Sequence, residues 1–142
     1  MISIDNNNDR RSDICKIDFV YTSQAIIRDY PGKDIYVKTS EWTPIKYSSA
    51  TFQESDELNG EPVVQELTVK ISGGNEDAEQ LIRNICGLEI LLRLTYSNGN
   101  QKIIGTEDNP VLLSHTSSES PRVQMLHSKR NSAEKTKYLK SF

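Results

Sequence analysis

Leu88-Glu89-Ile90-Leu91-Leu92-Arg93-Leu94-Thr95-Tyr96-Ser97-Asn98-Gly99-Asn100-Gln101-Lys102-Ile103-Ile104-Gly105 is the stretch that decides the fold. Leu88, Ile90, Leu92, Leu94 and Tyr96 alternate with Glu89, Leu91, Arg93 and Thr95, the period of two that sends successive side chains to opposite faces of a strand. Asn98-Gly99 is the preferred type I′ hairpin dipeptide, whose two central residues both take positive φ, and Gln101 to Gly105 is the return strand. Just upstream, Ala78, Leu81, Ile82, Ile85 and Cys86 fall at the offsets of one helical stripe. Asn75 suits the N-cap, Glu76, Asp77 and Glu79 place negative charge in the first turn, and Gly87 suits a left-handed C-cap. A helix of about three turns cannot bury such a stripe alone, so it packs on a sheet.

Further out, the pattern is mostly β. Cys15, Ile17, Phe19 and Tyr21 share one face of a strand, with Lys16 and Asp18 on the other. Val63, Leu67, Val69 and Ile71 alternate with Val64, Glu66, Thr68 and Lys70, and Pro62 sits at the start, where a missing donor matters least. Ile45 to Gln53 is a further strand, and Glu54 to Gly60 reads as a solvated acidic loop. Residues 22–44 stay open between strand, loop and short helix around the turn Tyr30-Pro31-Gly32-Lys33-Asp34; Ile35 to Lys38 is β-prone and Trp42-Thr43-Pro44 reads as loop. Downstream, Val111-Leu112-Leu113 starts a strand, Thr116 to Ser120 is a polar turn, and another strand surrounds Val123 to Leu126. The expected fold class is α+β, mainly antiparallel β-sheet in a small barrel or sandwich, with one packed α-helix near residues 76–86.

The chain has 142 residues and 16.1 kDa, the size of one domain. The expected division is a flexible N-terminal arm over 1–12, one β-rich domain over 13–128 and a basic C-terminal tail or final strand over 129–142. Mean hydropathy is −0.58 and the net charge −3. A mildly acidic total argues against a dedicated nucleic-acid binder, whose affinity comes largely from phosphate neutralisation. No apolar run approaches the roughly 18–20 residues that span a bilayer. Met1 to Arg10 lacks a basic start followed by an apolar core, so it does not read as a secretory signal. Two cysteines, Cys15 and Cys86, offer neither a disulfide framework nor a clustered zinc site.

The residues give little support to catalysis. His115 and His127 flank the polar turn and could lie within one or two rungs of a hairpin, but a metal site needs a third ligand. Cys86 closes the helix stripe at the end where the dipole does not lower a thiol pKa, and both cysteines read as core residues. GxSxG, HExxH, Walker A and GxGxxG are all absent. Ser72-Gly73-Gly74-Asn75 offers backbone donors to an anion, but the acidic residues after it would repel one. The carboxylate pairs Asp56/Glu57, Glu76/Asp77 and Glu107/Asp108 lack the contrasting surroundings that an acid–base pair requires. The chain therefore reads as non-enzymatic, with no cofactor and no metal.

Charge is concentrated at the C-terminus. Lys129, Arg130, Lys135, Lys137 and Lys140 oppose only Glu134, a net +4 that leaves −7 on residues 1–128. Such a segment could dock on an acidic face of another copy, or remain a solvated tail. Trp42, Tyr47 and Phe52 are the candidate contact residues for a small ligand or peptide, the alternative in which the protein is a monomeric binding module.

The layout from residue 61 to 142 also resembles a known kind of protein. A short helix from Glu76 to Cys86 precedes a strand, the Asn98-Gly99 hairpin and Ile103-Ile104-Gly105-Thr106. Then come Asn109-Pro110-Val111-Leu112-Leu113, a Ser-rich loop and Lys137-Tyr138-Leu139-Lys140-Ser141-Phe142. This arrangement is similar to small structural proteins of the tail or neck-completion kind encoded in Bacteroidetes prophages. The resemblance implies a β-rich subunit without an active site that self-associates into a ring with other copies and structural subunits. It also implies a place in the host cytoplasm or the virion.

Overall fold

The computed structural model describes residues 14–30, 34–39, 41–55, 61–72, 76–119 and 122–140. The arm over 1–12, the Asn75 cap and residues 56–60 lie outside them, as do the side chains of Glu76, Asp77 and Ala78.

Apolar alternation builds most of the chain into strands. In order they are β1 (Ile14–Tyr21), β2 (Ile26–Asp29), β3 (Ile35–Lys38), β4 (Thr43–Pro44), β5 (Ser49–Glu54) and β6 (Val63–Ser72). The helix α1 (Glu76–Ile85) separates these from β7 (Ile90–Tyr96), β8 (Gln101–Ile104), β9 (Ser114–Glu119), β10 (Arg122–Ser132) and β11 (Lys137–Lys140). A seven-stranded sheet has the order β2-β3-β11-β8-β7-β1-β4, and a four-stranded sheet the order β5-β6-β10-β9. Every pairing is antiparallel except β3 with β11. The fold is α+β, as the sequence pattern predicts, with the larger sheet curled into a half-barrel.

Two cores follow. The main one lies between the sheets and joins Ile17 and Phe19 of β1, Leu67, Val69 and Ile71 of β6, Leu92 and Leu94 of β7, and Leu126 of β10. Leu81, Ile82, Ile85 and Cys86 set the stripe of α1 against it, and Tyr21 Oη donates to the Asn84 carbonyl at 3.2 Å. The smaller core is built within the larger sheet alone, where Val20, Ile35, Val37, Leu91 and Ile103 meet. β1 and β7 are interior strands of that sheet and contribute to both cores, so both of their faces are covered. Ile17 to Val20 and Ile90 to Leu92 are accordingly buried without alternation.

The structure corrects several local expectations. Between residues 22 and 44, which the sequence leaves open, the described residues form a 3-10 turn at Thr22–Gln24 and the antiparallel pair β2–β3; residues 31–33 of the expected turn lie outside the described residues. Thr43-Pro44 is a two-residue edge strand paired with Asp18 and Phe19, a position that tolerates proline. The strand expected over 45–53 begins only at Ser49, because the Ile45 amide donates instead to the Ile17 carbonyl at 2.8 Å. Leu88 is exposed and precedes β7. Val111 makes a single bridge to Ile90 and starts no strand. Of the polar stretch expected as a turn, Thr116 to Glu119 belong to β9, which pairs with β10 from Ser114 to Glu119, while residues 120 and 121 lie outside the described residues.

The Asn98-Gly99 turn is also not type I′. Only glycines have positive φ among the described residues, Gly99 at +92°. The Gly99 amide donates to the Tyr96 carbonyl, and the Tyr96 amide to the Asn100 carbonyl, both at 2.9 Å. This is a three-residue loop in which only its last member needs the left-handed region. At Gly105, φ is +105°, and a Cβ would stand 3.0 Å from Leu91 Cδ2 and 3.1 Å from Val111 Cγ2. That glycine lets the chain turn off β8 against both cores.

Of residues 129–142, 129–132 and 137–140 lie in strands, and residues 141 and 142 lie outside the described residues. Lys129 to Ser132 complete β10 opposite Glu66 to Val63. Lys137 to Lys140 form β11 between β8 and β3. The segment crosses from one sheet to the other, so its backbone is tied at both ends.

Candidate functional site

Strand parity assembles the most polar place in the interior. Val63, Gln65, Leu67, Val69 and Ile71 share the inner face of β6, and all are buried. Gln65, 2% exposed, is the polar member of that row. Register puts Glu54 of β5 beside it on one side and Arg130 of β10 on the other. A polar row, Glu54–Gln65–Arg130, therefore crosses three strands at the end of the main core.

Leaving a buried polar group unbonded costs about 1–3 kcal/mol, and here most are bonded. Gln65 Nε2 donates to Glu54 Oε2 at 2.8 Å, while Arg130 Nη1 donates to Gln65 Oε1. Arg130 Nη2 donates to the Asn109 carbonyl. The Thr136 amide donates to Glu54 Oε2 at 2.6 Å and its hydroxyl to Oε1 at 3.1 Å. The connection from β10 to β11 is thus pinned onto the row. Burial pulls the Arg130 guanidinium below the usual arginine value, against the opposing charge of Glu54.

Lys137, the first residue of β11, closes the same corner. Its side chain is 10% exposed, and Nζ donates to Asp29 Oδ1 at 2.5 Å and Glu134 Oε1 at 2.9 Å. A third bond reaches the Tyr30 carbonyl at 3.0 Å. Burial works against the ammonium, but hydrogen bonds and charge from Asp29 and Glu134 outweigh it, so Lys137 titrates above an ordinary lysine. Between this corner, the end of β8 and Asn109 lies a pocket of about 160 Å³, with Arg130, Ser132, Thr106 and Lys137 in its wall. Tyr96 is pushed up to about 12 by burial, with the charges of Glu54 and Tyr138 adding to it.

A second polar cluster lies beside the smaller core. Asp18 and Arg93 face each other across β1 and β7. Arg93 donates to Asp18 Oδ2 from Nε at 3.2 Å and from Nη2 at 3.0 Å. The Trp42 ring covers the guanidinium at 4.6 Å. Two hydrogen bonds and a stacked aromatic satisfy this pair as a structural element.

The interaction residues expected from sequence are scattered. Trp42 packs against the smaller core. Tyr47 and Phe52 instead pack against the main core, Tyr47 donating from its hydroxyl to the Ile14 carbonyl at 3.1 Å. The three do not share one surface. Lys129, opposite Glu66 on β10, and Lys140 on β11 are exposed. Arg130, Lys135 and Lys137 do come together, all three in the pocket wall.

The histidines lie one rung apart on the β9–β10 hairpin, but on opposite faces. His115 pairs with Leu126 and His127 with Ser114. His115 Nε2 is 2.8 Å from Gln124 Oε1; His127 contacts Thr68 and Glu66 instead. Among the described residues there is no group of three or more His, Cys, Asp or Glu side chains placed to hold a metal. Cys86 is half-buried, and burial pushes its thiol up. Cys15 is exposed, not in the core. The β1–β7 register shifts between Ile14 and Lys16, so Cys15 is the extra residue of a bulge and leaves the alternation.

Glu54, Gln65 and Thr136 were not legible as partners of Arg130. One signal was present: parity along Val63, Leu67, Val69 and Ile71 places Gln65 on the buried face. Comparison with protein-family models, with curated proteins and with solved structures finds no match to this chain.

Proposed function

We propose that this protein is a non-enzymatic structural assembly subunit, of the tail or neck type that its C-terminal layout resembles, and that it self-associates into a ring. The observation that carries the reading is the four-stranded sheet. Among the described residues, β5 and β9 are each paired on one side only. Both are six residues long, and neither contains the Lys or Pro that blunts an exposed edge. Three successive antiparallel pairings make the two edges run in opposite directions. A second copy added head to tail would therefore join β9 to β5 in the antiparallel sense, and repetition of one such heterologous contact closes a ring when the rotation allows. The alternative, a monomeric module gripping a ligand with Trp42, Tyr47 and Phe52, draws no support from their separation onto different packing faces.

The test is absolute mass by light scattering behind a sizing column, across a tenfold concentration range. A stable mass several times 16.1 kDa is expected, falling to that of the monomer in Thr51→Lys and Thr116→Lys, which place a charge on each edge, with far-UV circular dichroism unchanged. A monomer at every concentration, or an oligomer indifferent to both substitutions, would overturn the edge-pairing reading. Deleting residues 129–142 does not serve as a test, because it removes β11 from the larger sheet and the last four residues of β10 from the smaller.

A further inference from the structure

We propose that the pocket beside Arg130 binds a small oxyanion, a carboxylate or phosphate group of the size of acetate or inorganic phosphate, whether or not the chain assembles. The starting point is the hydrogen bonding of Arg130. Among the described residues, Arg130 donates from Nη1 and Nη2 only to neutral oxygens, those of the Gln65 amide and the Asn109 carbonyl. Its Nε–H is buried without an acceptor. A buried guanidinium normally meets a carboxylate or phosphate, whose two oxygens match its fork.

The nearby carboxylates are committed elsewhere. Glu54 already accepts three hydrogen bonds, from Gln65 Nε2 and from the amide and hydroxyl of Thr136. Asp29 and Glu134 both hold Lys137. The compensation Arg130 receives from Glu54 is indirect, relayed through the Gln65 amide.

The rest of the wall holds Asp29 and Glu134, both bonded to Lys137, and two hydroxyls that can donate. Ser132 Oγ accepts from the Glu134 amide at 3.3 Å, and Thr106 Oγ1 accepts from the Asn109 amide at 3.0 Å. A hydroxyl used as an acceptor still has its own proton to donate. Both line the pocket, together with Arg130 and Lys135. A cation fixed by two neutral anchors, beside two hydroxyl donors, suits an oxyanion better than a cationic ligand. About 160 Å³ admits one such group in place of a few waters.

The full-length protein is titrated with sodium phosphate and, separately, sodium acetate, holding ionic strength constant with chloride. The readouts are the melting temperature and the arginine Nε–H resonances in ¹⁵N-resolved NMR, with the Arg130 signal assigned from its loss in Arg130→Lys. The expected result is a saturable displacement of the Arg130 Nε–H signal by at least one ion, with a matching rise in melting temperature. The double variant Ser132→Ala, Thr106→Val should bind at least about tenfold more weakly while keeping the far-UV spectrum. The two arms separate a phosphate site from a carboxylate site. An unmoved Arg130 signal with both ions, a response that chloride reproduces, or undiminished binding in the double variant would overturn the proposal. The measurement on the unmodified chain stands even if a variant does not fold.

Discussion

The inner face of β6 has two ends that are held by different physics. From Leu67 to Ile71 it meets Leu126 and the apolar side chains of β1 and β7 in the main core. At Gln65, one step along the same face, the neighbours are a carboxylate, a guanidinium and a backbone connection that changes sheets. Apolar burial is non-directional and contributes in proportion to area, so it holds the sheets together without choosing how the chain passes between them. Hydrogen bonds to Glu54 are directional. They constrain the connection, because the Thr136 amide and hydroxyl each bond one carboxylate oxygen.

The largest effect should come from breaking the apolar end. Leu126 is fully buried, so Leu126→Ala should cost about 2–5 kcal/mol, read as a fall in the urea midpoint with an unchanged slope. At the polar end, Gln65→Ala should cost about 1–3 kcal/mol, since it strands an Arg130 Nη1 donor and removes one donor to Glu54. A cost at Gln65 equal to that at Leu126 would erase the distinction between the two ends. A double-mutant cycle of Gln65→Ala with Thr136→Val sharpens it, because both changes act on Glu54 and should be non-additive.

The smallest effect is a dependence on alkaline pH. Tyr96 is raised from 10 to about 12 in the folded chain, so the fold favours the protonated phenol. Its contribution is fully present below pH 10 and is lost as pH rises through about 12. Lys137, also raised, acts in the same direction. Urea midpoints should therefore fall above pH 10, and Tyr96→Phe should flatten part of that fall. Phenolate absorbance should show one tyrosine ionising later than the rest; its absence would place Tyr96 in water.

Much of the fold was legible because burial follows parity. The helix stripe, the faces of β6 and the strand pair around Asn98-Gly99 all come from local spacing, and each is found where the spacing puts it. The candidate site was legible only in part. Arg130, Lys135 and Lys137 stood out as a run of charge, but Glu54 lay at the start of what read as a solvated loop, and Thr136 carried no signal at all. Their meeting depends on register between β5, β6 and β10 and on the crossing to β11, which join residues up to 82 positions apart.

The sequence by itself determined which residues are apolar, at what period, and hence an antiparallel β-rich chain with one helix. Tertiary structure decided the rest. It covered both faces of β1 and β7, buried Asp18 beside Arg93, and turned Cys15 outward through a bulge. It also made 137–140 a strand inside the larger sheet instead of part of a tail. The physical reason is range. Periodicity acts between neighbours in the chain, whereas pairing partners and the second covered face come from distant segments that short spacings do not encode.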